Sequence, residues 1–268
     1  MPSPPANKIT IWLWPTGLFP RRLIYYLRAK RITLSALTAH NIHLIPVILD
    51  TATPKLDAKE GYEKKPEGMS LPCMRVEHVG EERIEYVHES LAIVGFLEEV
   101  FGGTGGEDAQ AQGCGNIMGS TPSQRARTND ILSLLAEATV YANIALIHSD
   151  PTTLFWSGLT SSAMSASTAV DASRRFHNML SKLEGWVEKD VIKGQMSSLS
   201  GEGSAVTLAD VVLMSSVTYA EDHNGVGWVE GHEGLTSWCE RVKGCAWWVG
   251  AEGLRGCEES GWGAVLAE

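Results

Sequence analysis

Cysteine is scarce in this chain and poorly spaced for chemistry. Five occur in 268 residues (Cys73, Cys114, Cys239, Cys245 and Cys257), an odd number with no Cys-x-x-Cys pair. That excludes a disulfide scaffold or zinc cluster, predicts no metal, and points to a reducing, cytoplasmic setting. Positive charge is short too: 22 Lys+Arg against 32 Asp+Glu leave a net charge of −10. With no basic stripe, neither nucleic acid nor an anionic membrane surface is expected as a partner. No uninterrupted apolar run approaches about 18 residues, so no membrane span is expected. Met1-Pro-Ser-Pro-Pro-Ala-Asn-Lys8 lacks the apolar stretch of a signal peptide and reads as a short disordered tail over residues 1–7.

Apolar residues are plentiful by contrast, at 44%, enough for a sizeable core. The length favours two domains, and charge divides along the chain. Residues 1–101 hold 12 Lys+Arg and 12 Asp+Glu, so all the acidic excess lies beyond them. Ile9–Trp14 alternates β-branched and aromatic residues as a strand does, and Leu18–Lys30 repeats apolar residues at helical spacing with Pro20 in the first turn. Ile42–Leu49 is a second strand that Pro46 marks as an edge or irregular piece. The charged stretch 55–68 reads as a short exposed helix and loop. Residues 73–79 and 84–87 form a hairpin, and a helix opens at Glu89-Ser90. This β-α-β-(α)-β-β-α order over residues 8–101 describes a small α/β domain. Residues 102–123 are rich in Gly, Ser, Thr and Gln and read as a linker. Over 124–268 strand signals vanish, and helices are expected near 124–148, 168–193, 207–223 and 232–249. Thr207-Leu-Ala-Asp210 fits a helix capping box.

Four local patterns share one order. Phe19-Pro-Arg-Arg-Leu-Ile-Tyr-Tyr-Leu27 lies in the first helix, Leu71-Pro72 precedes the third strand, Glu89-Ser90 opens the next helix, and Thr207-Leu-Ala-Asp210 sits in the helical part. Together they resemble the glutathione S-transferase superfamily over about residues 8–245. The loop Pro15-Thr-Gly-Leu-Phe-Pro20 and the long linker look like divergent fungal members, some serving natural-product pathways. The resemblance implies a thioredoxin-like domain, an all-α domain and glutathione as co-substrate. It implies a cis Leu71–Pro72 bond, with the Leu71 backbone pairing to glutathione as an added strand; alternatively, Pro72 only starts a strand. Ser90, at the positive end of its helix, would take the γ-glutamyl carboxylate and Glu89 the ammonium; alternatively Ser90 only caps the helix, and both roles are compatible. Phe19 and Lys65 complete the implied glutathione site, with Lys64 and His43 as further candidates toward the glycyl end.

The catalytic position departs from the family. Its members place a Tyr, Ser or Cys near the end of the first strand to stabilise the glutathione thiolate, and the serine column falls here on Gly17. Thr16 is the nearest hydroxyl. Three outcomes stay open: Thr16 does serine's work, backbone N–H groups of the 16–19 turn hold the sulfur, or activation is weak. Cys73 reads as a buried thiol. Leu18, Phe19, Tyr141, Asn143, His148 and Arg175 are the implied lining for an apolar electrophilic acceptor, and a homodimer is implied. The expected activity is addition of the glutathione thiolate to that acceptor, with isomerisation by addition and elimination where the acceptor is an activated alkene. The alternative is a non-catalytic glutathione-binding or regulatory module on the same fold.

Overall fold

The computed structural model describes residues 7–50, 55–102, 115–225 and 227–267. Packing divides the chain into two compact units. The first takes the chain up to Ile117 with Val217–Gly225 and Val242–Glu268; the second takes Met118–Ser216 with Val226–Arg241.

In the first unit β1 (Lys8–Leu13) is followed by α1 (Leu18–Ala29), α2 (Leu34–Ala39), β2 (Ile42–Asp50), β3 (Lys55–Ala58), β4 (Cys73–Glu77), β5 (Ile84–Val87) and α3 (Ser90–Gly102). The strands form one mixed sheet in the order β3-β2-β1-β4-β5. β1 and β2 run parallel with Ile9 opposite Ile42, and β4 runs antiparallel to β1 with Trp12 opposite Cys73. This is the expected thioredoxin-like arrangement with one strand added at the edge. Side chains alternate across β1 as a strand's period of two requires. Ile9, Ile11 and Leu13 are buried on one face, while Trp12 on the other joins Ile45, Val47 and Cys73 in a cluster.

Two local expectations change. Residues 55–58 form strand β3 instead of starting a helix, pairing Lys55 with Asp50 and Ala58 with Val47. Leu56 and Ala58 pack against the Trp12 cluster while Lys55 and Asp57 face outward. Two inward residues in a charged stretch are too few to register as alternation. Helix α2 was not expected; Thr33 caps it by accepting a hydrogen bond from the Ala36 N–H at 3.1 Å. Pro46 sits within an interior strand, yet at a handover. β1 pairs with residues 42–46 of β2, and β3 pairs from Val47 onward. The missing N–H therefore falls where one ladder ends and the other begins.

The expected helix over 232–249 stops at Lys243, and α9 (Ala251–Ser260) follows. Residues beyond 242 belong to the first unit because its side chains hold their backbone. The Arg28 guanidinium donates to the carbonyls of Trp247 (3.0 Å), Ala246 (2.5 Å) and Val265. The Tyr25 hydroxyl donates to the Val249 carbonyl at 2.8 Å, and Trp262 Nε1 donates to the Leu44 carbonyl at 2.9 Å.

The second unit is helical among its described residues. It holds α4 (Pro122–Ser149), the single turn α5 (Leu154–Ser157), α6 (Ala166–Val187) with a π-helical turn at Glu188–Ile192, and parts of α7 (Leu208–Asn224) and α8 (Glu233–Lys243). Thr121 caps α4, Pro122 takes its first turn, and a two-pronged Arg127–Asp190 pair ties α4 to the π turn. By length and composition α4 is the one helix among the described residues apolar enough to cross a membrane, and 22% of its apolar window is buried. Scattered small polar residues and Glu137 interrupt the run without offsetting it. Residues 103–114 of the expected linker, and with them Cys114, lie outside the described residues, as do residues 1–6 of the expected tail.

Candidate functional site

The start of α3 brings together residues distant in sequence. Ser90 opens the helix and is buried, while Glu89 before it is exposed. The first N–H groups of any helix have no acceptor within it, and the dipole places positive potential there. Arg22, from α1, donates from Nη1 to the Ser90 hydroxyl oxygen at 3.4 Å. Its guanidinium lies 4.8 Å from the Phe19 ring centroid. Arg22 is 7% exposed, and its Nε has no hydrogen-bond partner among the described residues. Burial pulls its pKa down to about 10, against the opposing pull of Glu89. A half-satisfied buried cation beside a hydroxyl at a helix N-terminus can take a carboxylate. Arg22 was not a sequence candidate. A signal existed, because Arg21-Arg22 interrupts a helix whose neighbouring positions are otherwise apolar.

The Leu71–Pro72 peptide is cis. Leu71 packs on the Trp12 cluster beside Trp14. Continuing the β1–β4 register two residues past the Trp12–Cys73 pair sets it level with Trp14. Since β4 begins at Cys73, the Leu71 N–H and C=O stand outside the strand ladders. Lys65 braces the approach: its ammonium donates to the carbonyls of Met69 (2.7 Å) and Pro66 (3.3 Å). Lys65 is therefore engaged by its own loop, and Lys64 and His43 are exposed. Cys73 is fully buried, and burial pushes its thiol up to about 11, which suits an inert core residue.

After β1 the chain makes a tight turn closed by the Gly17 N–H donating to the Trp14 carbonyl at 3.0 Å. A Cβ on Gly17 would lie 2.7 Å from Trp14 Cε3, so a side chain here requires the Trp14 indole to shift. Thr16 is 8% exposed, and its hydroxyl donates to Glu258 Oε1 on α9 at 3.0 Å. Its carbonyl accepts from Arg21 Nη2 at 2.7 Å and His223 Nε2 at 3.1 Å. Arg21, fully buried, also pairs with Asp222 at 2.7 Å. Burial pushes the Glu258 carboxyl above the usual range, while hydrogen bonds from Thr16 and Trp14 draw it back. No motif surrounds Glu258, and sequence reasoning missed it.

Of the acceptor candidates, Leu18 is half-buried in the first unit. In the second unit Arg175 lies 5.8 Å from the Tyr141 ring centroid and donates from Nε to Asp171 at 2.8 Å. Asn143, two positions on from Tyr141, is exposed on another face of α4. His148 Nδ1 accepts from the Ser165 N–H at 3.2 Å and so braces the start of α6.

The second unit carries a contrasting helix start. The Asp210 carboxylate accepts from the Thr207 N–H (2.6 Å), the Leu199 N–H (2.7 Å) and the Thr207 hydroxyl (3.1 Å). Asp210 is 1% exposed, and burial pushes its carboxyl up to about 6.

No family model and no curated protein matches this chain by sequence. Solved structures match along nearly its whole length. A glutathione S-transferase from Methylobacillus flagellatus with glutathione bound aligns with a TM-score of 0.56 at 12% identity, covering 90% of this chain and 96% of that one. A Nilaparvata lugens delta-class glutathione transferase aligns at 0.55 and 18% identity, covering 94% and 97%. A Pseudomonas fluorescens glutathione transferase family member with bound S-(propanoic acid)-glutathione aligns at 0.54 and 14%, covering 88% and 95%. The thioredoxin-like sheet followed by a helical region is thus the glutathione S-transferase fold.

Proposed function

We propose that the chain binds glutathione on its first unit and adds the thiol to an apolar, electrophilic small molecule. The observation that carries this reading is the open start of α3, where Ser90 and the part-satisfied Arg22 form a buried carboxylate site. The γ-glutamyl carboxylate would enter there, its ammonium would meet Glu89, and the cysteinyl unit would lie along the free backbone of Leu71. Two proteins of this fold with glutathione or its S-propanoic acid conjugate bound support the choice of ligand. With an activated alkene, addition followed by elimination would isomerise a double bond, a step suited to a biosynthetic pathway of fungal type. The apolar side chains left exposed on the second unit, Val140, Phe155, Trp156 and Val170, support a homodimer. A cytoplasmic location is part of the proposal and rests on the cysteine pattern.

One observation favours a second reading, a glutathione-binding module without turnover: the Thr16 hydroxyl is given to Glu258, and Gly17 beside it, packed on the Trp14 ring, supplies no hydroxyl. Calorimetric titration with glutathione, followed by a conjugation assay with chlorodinitrobenzene, separates the two. Binding with turnover supports the transferase, binding without turnover of any electrophile supports the module, and no binding at millimolar glutathione overturns both.

A further inference from the structure

Thr16 and Glu258 form a pair that the usual account of a single thiolate-stabilising hydroxyl does not need. The hydroxyl is buried, lies in the turn after β1, and points its proton at Glu258 Oε1, 3.0 Å away. A hydroxyl committed in this way offers lone pairs, not a proton, to whatever lies on its other side. An incoming thiol would therefore donate to Thr16. His223 is not the acceptor in this arrangement, since its Nε2 faces the Thr16 carbonyl. Glu258 is fixed in place: α9 is held at its C-terminal end by the Lys59 ammonium on the carbonyls of Glu258 (2.7 Å) and Glu259 (2.8 Å). The charged groups around the pair are Arg255 and Glu259 on α9 itself, Lys59, and Arg21 with Asp222 and His223 on the Thr16 side.

We propose that Glu258 receives the thiol proton of bound glutathione, relayed by Thr16, as the carbon–sulfur bond forms. This rests on the glutathione reading above. As sulfur bonds to the electrophilic carbon its proton becomes acidic and passes to Thr16 Oγ, while the Thr16 proton passes to Glu258 Oε1. The S–H bond breaks, the C–S bond forms, and Glu258 ends as a neutral carboxylic acid. With an activated alkene, the carbanion or enolate takes up the displaced electron pair and is protonated by the Glu258 proton returned through Thr16. With an aryl halide, the halide leaves with its pair and Glu258 returns its proton to water. No preformed thiolate is required, so the relay would allow turnover at neutral pH with Gly17 in place of a serine. Thr16 is the group that touches the thiol; Glu258 acts through it.

The test is the pH profile of kcat/KM for glutathione with chlorodinitrobenzene in wild type and Glu258→Gln, an isosteric change that keeps a hydrogen bond to Thr16. Loss of the proton acceptor should lower kcat/KM about 100-fold near pH 6.5, the scale of general-base catalysis. The loss should nearly vanish by about pH 9.5, where the thiol ionises unaided. Thr16→Val cuts the relay from the other end and should show the same profile, which covers the case of Glu258→Gln failing to fold. S-methylglutathione, which has no thiol proton, should bind wild type and both variants equally. Variants that bind it but keep the wild-type profile overturn the relay and leave the glutathione reading standing. Failure of wild type to bind S-methylglutathione overturns both.

Discussion

Two helix starts in this molecule are built from similar residues and end in opposite states. At α7, Thr207 and Asp210 saturate one another: the carboxylate accepts three hydrogen bonds from within the unit. At α3, Ser90 faces a buried guanidinium that keeps one N–H without a partner among the described residues. A closed set of donors and acceptors stabilises a fold. A set left one anion short costs stability and gains it back when that anion arrives. On this difference rests the proposal that α3, unlike α7, opens a binding site.

The comparison breaks most visibly at Asp210. Asp210→Ala leaves two buried N–H groups unanswered and should cost about 3 kcal/mol, read as a lower melting temperature with unchanged glutathione affinity of the folded fraction. Titration sharpens the same point. The Asp210 carboxyl sits at about 6 in the folded chain against an ordinary value of 3.8, so the folded state holds the proton more tightly. That share of stability is complete below about pH 3.8 and is lost as pH rises through about 6. Relative to Asp210→Asn, wild type should therefore lose stability over that window in denaturant titrations.

Arg22 is the opposite case. Arg22→Met should weaken glutathione about 30-fold, near 2 kcal/mol, by removing a charge-assisted contact. Because the guanidinium is buried and half-satisfied, the melting temperature of the free protein should hold or rise. A large fall in melting temperature with affinity intact would make the α3 start one more structural cap. The smallest effect belongs to Ser90→Ala, about fivefold in affinity or near 1 kcal/mol, with little change in the free fold.

Much of this architecture was legible in the sequence because its signals are local. The alternation in Ile9–Trp14, the helical repeat after Leu18, the hairpin around Gly80 and the Thr207-Leu-Ala-Asp210 box each occupy one short window, and each appears where the residues place it. β3 escaped because two inward side chains are below the length at which alternation stands out. The apolar character of α4 escaped because it is an average over apolar and small polar residues, not a continuous run. Within the candidate site, Leu71, Pro72, Glu89 and Ser90 carry recognisable spacing, whereas Arg22 and Glu258 matter only through contacts 68 and 242 residues away in the chain. Spacing cannot encode a partner at that distance.

The grip of Arg28, Tyr25 and Lys59 on the backbone between Ala246 and Val265 has a consequence for how the protein is made. The sheet leaves the ribosome well before Val242–Glu268, and its unit stays incomplete until that segment has been synthesised and has returned to it. A fragment ending near residue 101 would expose the surfaces that segment covers, so cutting this gene at the apparent domain boundary should give an aggregating product rather than a working half.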